Sequence, residues 1–374
     1  MHKIRGLYDQ IYDFENLHRA YLQARKGKRY RIEVLKFTNH LEENLIQIQN
    51  ELMWKTYTVG RYREFFVHEP KKRLIMALPF KDRVVQWAIY QVLNPYFEKG
   101  FIKDSYACRI GKGTHQAVQR LQYWLRYMNR RHERFYALKL DISKYFYRVD
   151  HNVLMDILRK RIGDKDLLWL LDVIVRCEHT KFGIPLGDHQ FEAERIGGVG
   201  MPIGNLTSQM FANLYLNELD QFAKQTLCVK HYLRYMDDVV ILHEDKKYLW
   251  DLESQLDEFI TERLNLKLNN KTMVRTVNQG IEFVGYRIWP THIKMRKKTT
   301  VKMKHRLRYL QRAYARGEIE LQEVNGSIQS YLGILKHCDG YNLKKKLSNS
   351  LVFSRDSPEN RGHFYALESM PEKP

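Results

Sequence analysis

Along most of the chain apolar residues recur every three or four positions, and short continuous apolar runs interrupt this pattern in a few places, which predicts helices packed on small sheets. From Tyr8 to about Trp54 the period is helical, with Leu41, Leu45, Ile48 and Leu52 on one face. Two extended runs between Tyr62 and Ala77 flank Pro70-Lys71-Lys72-Arg73 and read as a hairpin, followed by a helix from Asp82 that carries Val85, Ile89, Val92 and Leu93. Phe135 to Ile142 reads as a strand ending on an acid. Val153 to Ile162 reads as a helix capped by Asp150 or Asn152. The stretch Gly197-Gly198-Val199-Gly200 leads into a helix over 205–222, and His231 to His243 reads as two strands joined by a tight turn. A charged helix (Tyr248 to Leu264), one short strand (Gly280 to Trp289), a basic region (Lys294 to Arg316) and a last clear helix (Val324 to Lys336) follow. A Lys-rich stretch then precedes a tail with Pro358, Pro371 and Pro374, expected to be loosely ordered from about Ser354.

Length and charge narrow the function. At 374 residues the chain can hold two or three subregions around a sizeable core. Its 63 Lys and Arg against 43 Asp and Glu leave a formal charge of +20, which favours a polyanionic partner over an acidic small molecule. No apolar run approaches the roughly 20 residues that span a bilayer, and the start from Met1 to Arg5 does not read as a secretion signal, so no membrane partner is expected. Cys108, Cys177, Cys228 and Cys338 are scattered without a C-x-x-C pair; the expectation is a reduced cytoplasmic protein with neither disulfides nor zinc.

Chemistry enters at Tyr235-Met236-Asp237-Asp238, where two carboxylates interrupt the apolar run Tyr232 to Leu242. Burying such charge requires cationic compensation, and only Arg234 is near in sequence. Asp141 ends a second apolar strand and can join them. Three carboxylates suit hard divalent cations such as Mg2+, and two ions about 3.5–4 Å apart can activate a primer hydroxyl and stabilise departing pyrophosphate. Phosphoryl transfer needs little more than positioning and charge neutralisation. His115, His151 and His231 are scattered and read as surface or helix-end residues.

The order of blocks around these acids resembles the reverse transcriptases. Arg73-Leu74-Ile75 through Lys81-Asp82-Arg83-Val84-Val85-Gln86 resembles the first block of that family, and Ser105-Tyr106-Ala107-Cys108-Arg109 with Gly111 to His115 resembles the second. Asp141-Ile142-Ser143-Lys144-Tyr145-Phe146 resembles the first catalytic block, and Gly200-Met201-Pro202-Ile203-Gly204-Asn205-Leu206-Thr207-Ser208-Gln209 the nucleotide-contacting one. Leu266 to Lys271 and Phe283-Val284-Gly285-Tyr286 resemble the two blocks after the catalytic hairpin. The resemblance implies an α+β right-hand polymerase fold: an N-terminal helical segment (1–60), fingers and palm with an antiparallel sheet packed on helices (61–290), a basic helical thumb (291–350) and a C-terminal tail (351–374). It implies metal binding by Asp141, Asp237, Asp238 and the carbonyl of Ile142, with two Mg2+ ions for which Mn2+ can substitute. Deoxynucleotide contacts then fall to Lys72, Arg73, Phe146, Ile203, Gly204, Gln209 and Lys271. Phe146 would close the space beside a ribose 2′-hydroxyl, and Phe283, Val284, Gly285 and Tyr286 would form the primer grip.

Two departures refine the resemblance. Ile203 stands where most of the family has Gln, and Gln209 where most has Pro; that block, with Phe14-Glu15-Asn16-Leu17 and Ser330-Tyr331-Leu332-Gly333 through His337, is similar to the reverse transcriptases of diversity-generating retroelements. These copy a template-repeat RNA with errors concentrated at adenines, and work with a small basic accessory protein. An Ile side chain offers no polar readout, which weakens discrimination; it can equally be a packing residue beside Pro202. The basic run Arg25 to Arg31 fits a solvated face or a phosphate contact. Lys297, Lys298, Lys302, Arg306 and Arg308, interleaved with Tyr309 and Leu310, suit a template-primer duplex held by its backbone. Other bacterial reverse transcriptases, from a retron, a group II intron or a phage-defence system, remain alternatives, although no Val-Thr-Gly triplet of the retron kind occurs and the chain ends soon after the thumb. A non-catalytic RNA-binding protein on the same fold is a further alternative.

Overall fold

The computed structural model describes residues 3–68, 73–184, 195–350 and 352–355; Lys72 and nearly all of the C-terminal tail lie outside the described residues. The N-terminal helical segment forms as α1 (Tyr8–Tyr12), α2 (Phe14–Ala24), α3 (Ile32–Asn39) and α4 (Leu41–Met53). Leu45, Ile48 and Leu52 of α4 are fully buried, as their spacing predicts. The expected hairpin pairs β1 (Arg63–Val67) antiparallel with β2 (Arg73–Ala77), and α5 (Phe80–Glu98) follows. Asn16 of α2 locks onto α5: its Nδ2 donates to the Ala88 carbonyl at 3.2 Å, and Gln91 Nε2 donates to its Oδ1 at 2.9 Å. Such pairing is what makes a buried amide tolerable.

After α6 (Thr114–Asn129) come β3 (Tyr136–Asp141), α7 (Tyr145–Arg148), α8 (His151–Arg161), α9 (Lys165–Arg176) and α10 (Leu206–Gln221), which runs on as a π turn over Phe222–Thr226. Asp150 caps α8 as expected, its side chain accepting from the amides of Asn152 and Val153. Then β4 (His231–Tyr235), β5 (Asp238–His243), α11 (Lys246–Leu264) and β6 (Met273–Thr276) complete a four-stranded sheet in the order β4-β5-β3-β6. The run read as one strand over 280–289 is instead a hairpin, β7 (Ile281–Phe283) and β8 (Tyr286–Ile288), joined by β9 (Ile293–Met295). Val284 at φ +40° and Gly285 at φ +93° reverse the chain inside that run. The helices α12 (Lys297–Ala315), α13 (Leu321–Leu335) and α14 (Tyr341–Ser350) follow.

The architecture is the mixed helix-and-sheet class expected, divided into two compact units. One contains Met1–Gly113, Leu138–Ile241 and Lys247–Met273; the other contains Thr114–Ala137, Leu242–Lys246 and Val274–Pro374. In the second, Met295, Met303, Leu307, Leu310, Val324, Ile328 and Leu335 form one apolar cluster. Among the described residues no helix is long and apolar enough to cross a membrane.

Candidate active site

The carboxylates sit at neighbouring strand ends of the first unit. Asp141 is the last residue of β3, Asp238 the first of its neighbour β5, and Met236-Asp237 connect β4 to β5. Met236 lies at φ +55°, in the left-handed region that costs a side-chain-bearing residue roughly 1–2 kcal/mol. Side chains alternate along a strand, so Lys139 shares a face with Asp141, and its Nζ is 3.2 Å from Asp238 Oδ1.

That contact corrects the expectation that Arg234 compensates the acids. Arg234 is wholly buried and committed to Asp220 of α10, with Nε to Oδ1 at 2.7 Å and Nη2 to Oδ2 at 2.6 Å. Nearness in sequence put the wrong cation beside the site, because strand partners are set by the sheet. The one sequence signal that marks Lys139 is that it interrupts the apolar run two residues before Asp141. Asp220, Asn213 and Tyr232, which surround Arg234, carried no such signal.

Burial pushes the Asp238 carboxyl up from 3.8 to about 6; Lys139 pulls it down, while Asp237 and Asp141 push it further up. The three acids therefore share one electrostatic environment. Asp238 Oδ1 is buried, and the Lys139 ammonium 3.2 Å away is its compensating charge. Among the described residues no three His, Cys, Asp or Glu side chains close into a preformed metal cage. An all-oxygen donor set that includes a buried carboxylate oxygen nevertheless suits a hard divalent cation. Asp141, Asp237 and Asp238 would hold it, with the carbonyl of Ile142, whose side chain is buried.

Chain segments bound to Asp141 gather further expected residues. The amide of Asn269 donates to the Asp141 carbonyl at 2.7 Å, that of Ser143 to the Lys267 carbonyl at 2.9 Å, and Ile142 bridges Leu268. Lys271 is exposed at the end of this segment. Phe146, half-buried on α7, accepts the Met201 amide at its carbonyl at 2.6 Å, which ties the first catalytic block to the nucleotide-contacting one.

The nucleotide-contacting block is fastened to the β1–β2 hairpin and α5. The Met76 amide donates to the Ile203 carbonyl at 3.2 Å, Asn205 Nδ2 to the Tyr62 hydroxyl at 3.0 Å, and the Leu206 amide to Gln86 Oε1 at 3.2 Å. Gly200, at φ +88°, lies where a Cβ would meet the backbone of Phe182 and Gly183 within 2.8 Å, and Gly204, at φ +114°, is pressed against Ile75. Only glycine suits these two positions. His151 Nε2 donates to the Gly200 carbonyl at 2.7 Å; burial lowers its pKa, and its role is to hold the loop. Ile203 is half-exposed and Arg73, which begins β2, is exposed. Gly204, Gln209 and Ile75 line a cavity of about 350 Å³ together with Lys28, Arg31, Arg83 and Trp87. Burial lowers the Lys28 pKa, and Arg83 and Arg31 lower it further, so this wall carries surplus positive charge.

In the second unit, Val284 and Gly285 form the tip of the β7–β8 hairpin, while Phe283 and Tyr286 are buried beneath it. The Gly285 carbonyl accepts the Arg296 amide at 3.0 Å, and the Tyr286 hydroxyl donates to the Ile334 carbonyl at 3.2 Å. On α12, Met303, Leu307 and Leu310 face the apolar cluster, whereas Lys297, Lys298, Lys302, Arg306 and Arg308 are exposed. One face of this helix is thus core and the other a basic surface.

Over 276 residues the chain is 26% identical to Protein YkfC of Escherichia coli (strain K12), covering 64% of this chain and 70% of that one. It is 21% identical over 374 aligned residues to the group II intron-encoded protein LtrA of Lactococcus lactis subsp. cremoris, covering 82% of this chain but 57% of LtrA. A structure of telomerase from Candida albicans with a telomeric RNA fragment superposes with a TM-score of 0.44 and 15% identity, over 78% of this chain and 55% of that one. Residues 68–288 match the family model described as reverse transcriptase (RNA-dependent DNA polymerase), more than half of the chain, and the chain belongs to the reverse transcriptase family.

Proposed function

We propose that the chain is an RNA-directed DNA polymerase whose reaction is centred on Asp141, Asp237 and Asp238. The observation that carries this reading is the meeting of three acids at adjacent strand ends, next to a loop bound to a basic hairpin. Divalent ions held there would activate the primer 3′-hydroxyl and stabilise the leaving pyrophosphate. The chain's own residues position the reactants. Lys139 balances Asp238 until an ion does so. Arg73 offers a planar fork to the triphosphate and Lys271 a point charge to departing pyrophosphate. Phe146 limits space beside the sugar, and Gly204 and Gln209 border the nucleotide. The exposed basic face of α12 takes duplex phosphates.

The finer reading is that of a diversity-generating retroelement: cDNA made from a template-repeat RNA, with errors at template adenines, helped by a small basic accessory protein. Ile203 supports it, since an apolar, half-exposed side chain in the nucleotide-contacting block supplies no polar readout. Similarity to the intron-encoded LtrA over 82% of the chain favours a second reading, an intron-type enzyme. Neighbouring DNA decides between them, a pair of near-repeats differing at template adenines marking the first. For the polymerase itself, Asp237→Ala and Asp238→Ala should abolish primer extension on RNA and leave RNA affinity intact; unaltered extension refutes the site.

A further inference from the structure

The turn that carries Asp237 and Asp238 is held from behind. Arg234, fully buried, forks onto Asp220 through Nε and Nη2, and its Nη1 donates to the Met236 carbonyl at 3.1 Å. The same Nη1 lies 3.3 Å from Asn213 Oδ1, whose Nδ2 donates to the Ala107 carbonyl at 2.7 Å. The Tyr232 hydroxyl donates to Asp220 Oδ1 at 2.8 Å. Arg234 is also fixed along its backbone: its amide donates to the Asp104 carbonyl at 2.9 Å, and its carbonyl accepts from the Tyr106 amide at 3.0 Å.

A wholly buried ion pair is a poor stabiliser, because desolvating both charges commonly costs more than their attraction returns, and apolar replacements are often neutral or better. Stability alone does not account for this network. What an apolar pair could not do is grip a carbonyl. Met236 is the left-handed residue of the turn, and its carbonyl belongs to the peptide that leads into Asp237. A lysine could oppose Asp220 but lacks the planar fork that binds Asp220 and reaches Met236 together.

We propose that Arg234 is a positioning residue for the carboxylate turn: anchored on Asp220, it holds the Met236 carbonyl and so sets the direction in which Asp237 and Asp238 leave the hairpin. The inference rests on the polymerase reading of that turn. Groups that orient metal-binding side chains typically matter about 10–100-fold in affinity or activity, and a displacement near 1 Å can cost about 10²-fold in rate.

Two variants test it. Arg234→Lys keeps the charge, and the triple variant Arg234→Met, Asp220→Leu, Tyr232→Phe replaces the network with apolar groups. Each is measured by thermal melting, by Mn2+ binding without nucleic acid followed by electron paramagnetic resonance, and by single-turnover primer extension. The expected result is near-wild-type melting and RNA affinity, Mn2+ binding weakened about tenfold or more, and turnover lowered about a hundredfold with a small change in nucleotide KM. Variants that melt like wild type and keep both metal binding and turnover overturn the proposal. Loss of folding in both overturns it too, by making the network structural. A wild-type protein that binds Mn2+ through Asp237 and Asp238 but extends no primer would refute the polymerase reading, while Mn2+ binding still decides the role of Arg234.

Discussion

Neutralising Asp238 should stabilise the metal-free protein near neutral pH while removing part of its metal site. The folded chain keeps the Asp238 proton up to about pH 6, against 3.8 for the ordinary carboxyl, so between these values the folded state binds more protons than the unfolded one. The stability this group contributes is complete below about 3.8 and is lost as pH rises through about 6. At 1.36 kcal/mol per tenfold change in proton affinity, the ceiling is about 3 kcal/mol. A quarter of the side chain remains accessible, so solvent screening brings the working figure to about 2 kcal/mol. For a unit of this size that corresponds to a Tm difference of about 4–8 °C. The assay compares wild type with Asp238→Asn by calorimetry in excess chelator. Asp238→Asn should melt higher at pH 7.5, and the gap at pH 4.5 should shrink to about a third, since the folded Asp238 is protonated there and only the cost of taking up that proton remains. A gap independent of pH, or an Asn variant that melts lower at pH 7.5, refutes the assignment of a strained, buried charge.

Three further outcomes follow from the site. Ile203→Gln should lower misincorporation opposite template adenine in sequenced cDNA, and an unchanged error spectrum would remove the basis for treating position 203 as a fidelity determinant. Phe146→Ala should raise ribonucleotide incorporation about 10–100-fold relative to deoxynucleotides, as expected when steric discrimination of about 1–3 kcal/mol is lost; unchanged sugar selectivity would make Phe146 ordinary packing. Replacing Lys298, Lys302 and Arg306 by Gln should flatten the logarithmic dependence of RNA–DNA duplex affinity on salt by about 2–3. If the slope is unchanged, the exposed face of α12 makes no backbone contacts.

Much of this site was legible because its signals are local. The apolar run broken by Asp237-Asp238 predicted a hairpin, and the strand ending on Asp141 predicted its neighbour; β3, β4 and β5 lie where those patterns put them. The Asp150 cap and the Leu45, Ile48, Leu52 face were readable in the same way. What stayed hidden depends on the sheet and on packing. Lys139 meets Asp238 across strands far apart in sequence, whereas Arg234, four residues away, turns to Asp220. The helices α6 and α9 carry amphipathic apolar faces but no chemical motif, so their sequences point to packing and not to a role in the site. The β7–β8 hairpin hid within one apolar run, since Val284 is a poor signal for a left-handed turn.

Template-directed synthesis at the three carboxylates is open to direct measurement. Its most direct test is single-nucleotide incorporation by the purified chain on four RNA templates that differ only in the first templating base, with Mg2+, with chelator, and with Asp141→Asn. Mg2+-dependent addition should follow the template base, most faithfully where that base is not adenine, and Asp141→Asn should add nothing. Addition that ignores the template, or that survives in Asp141→Asn, would contradict it.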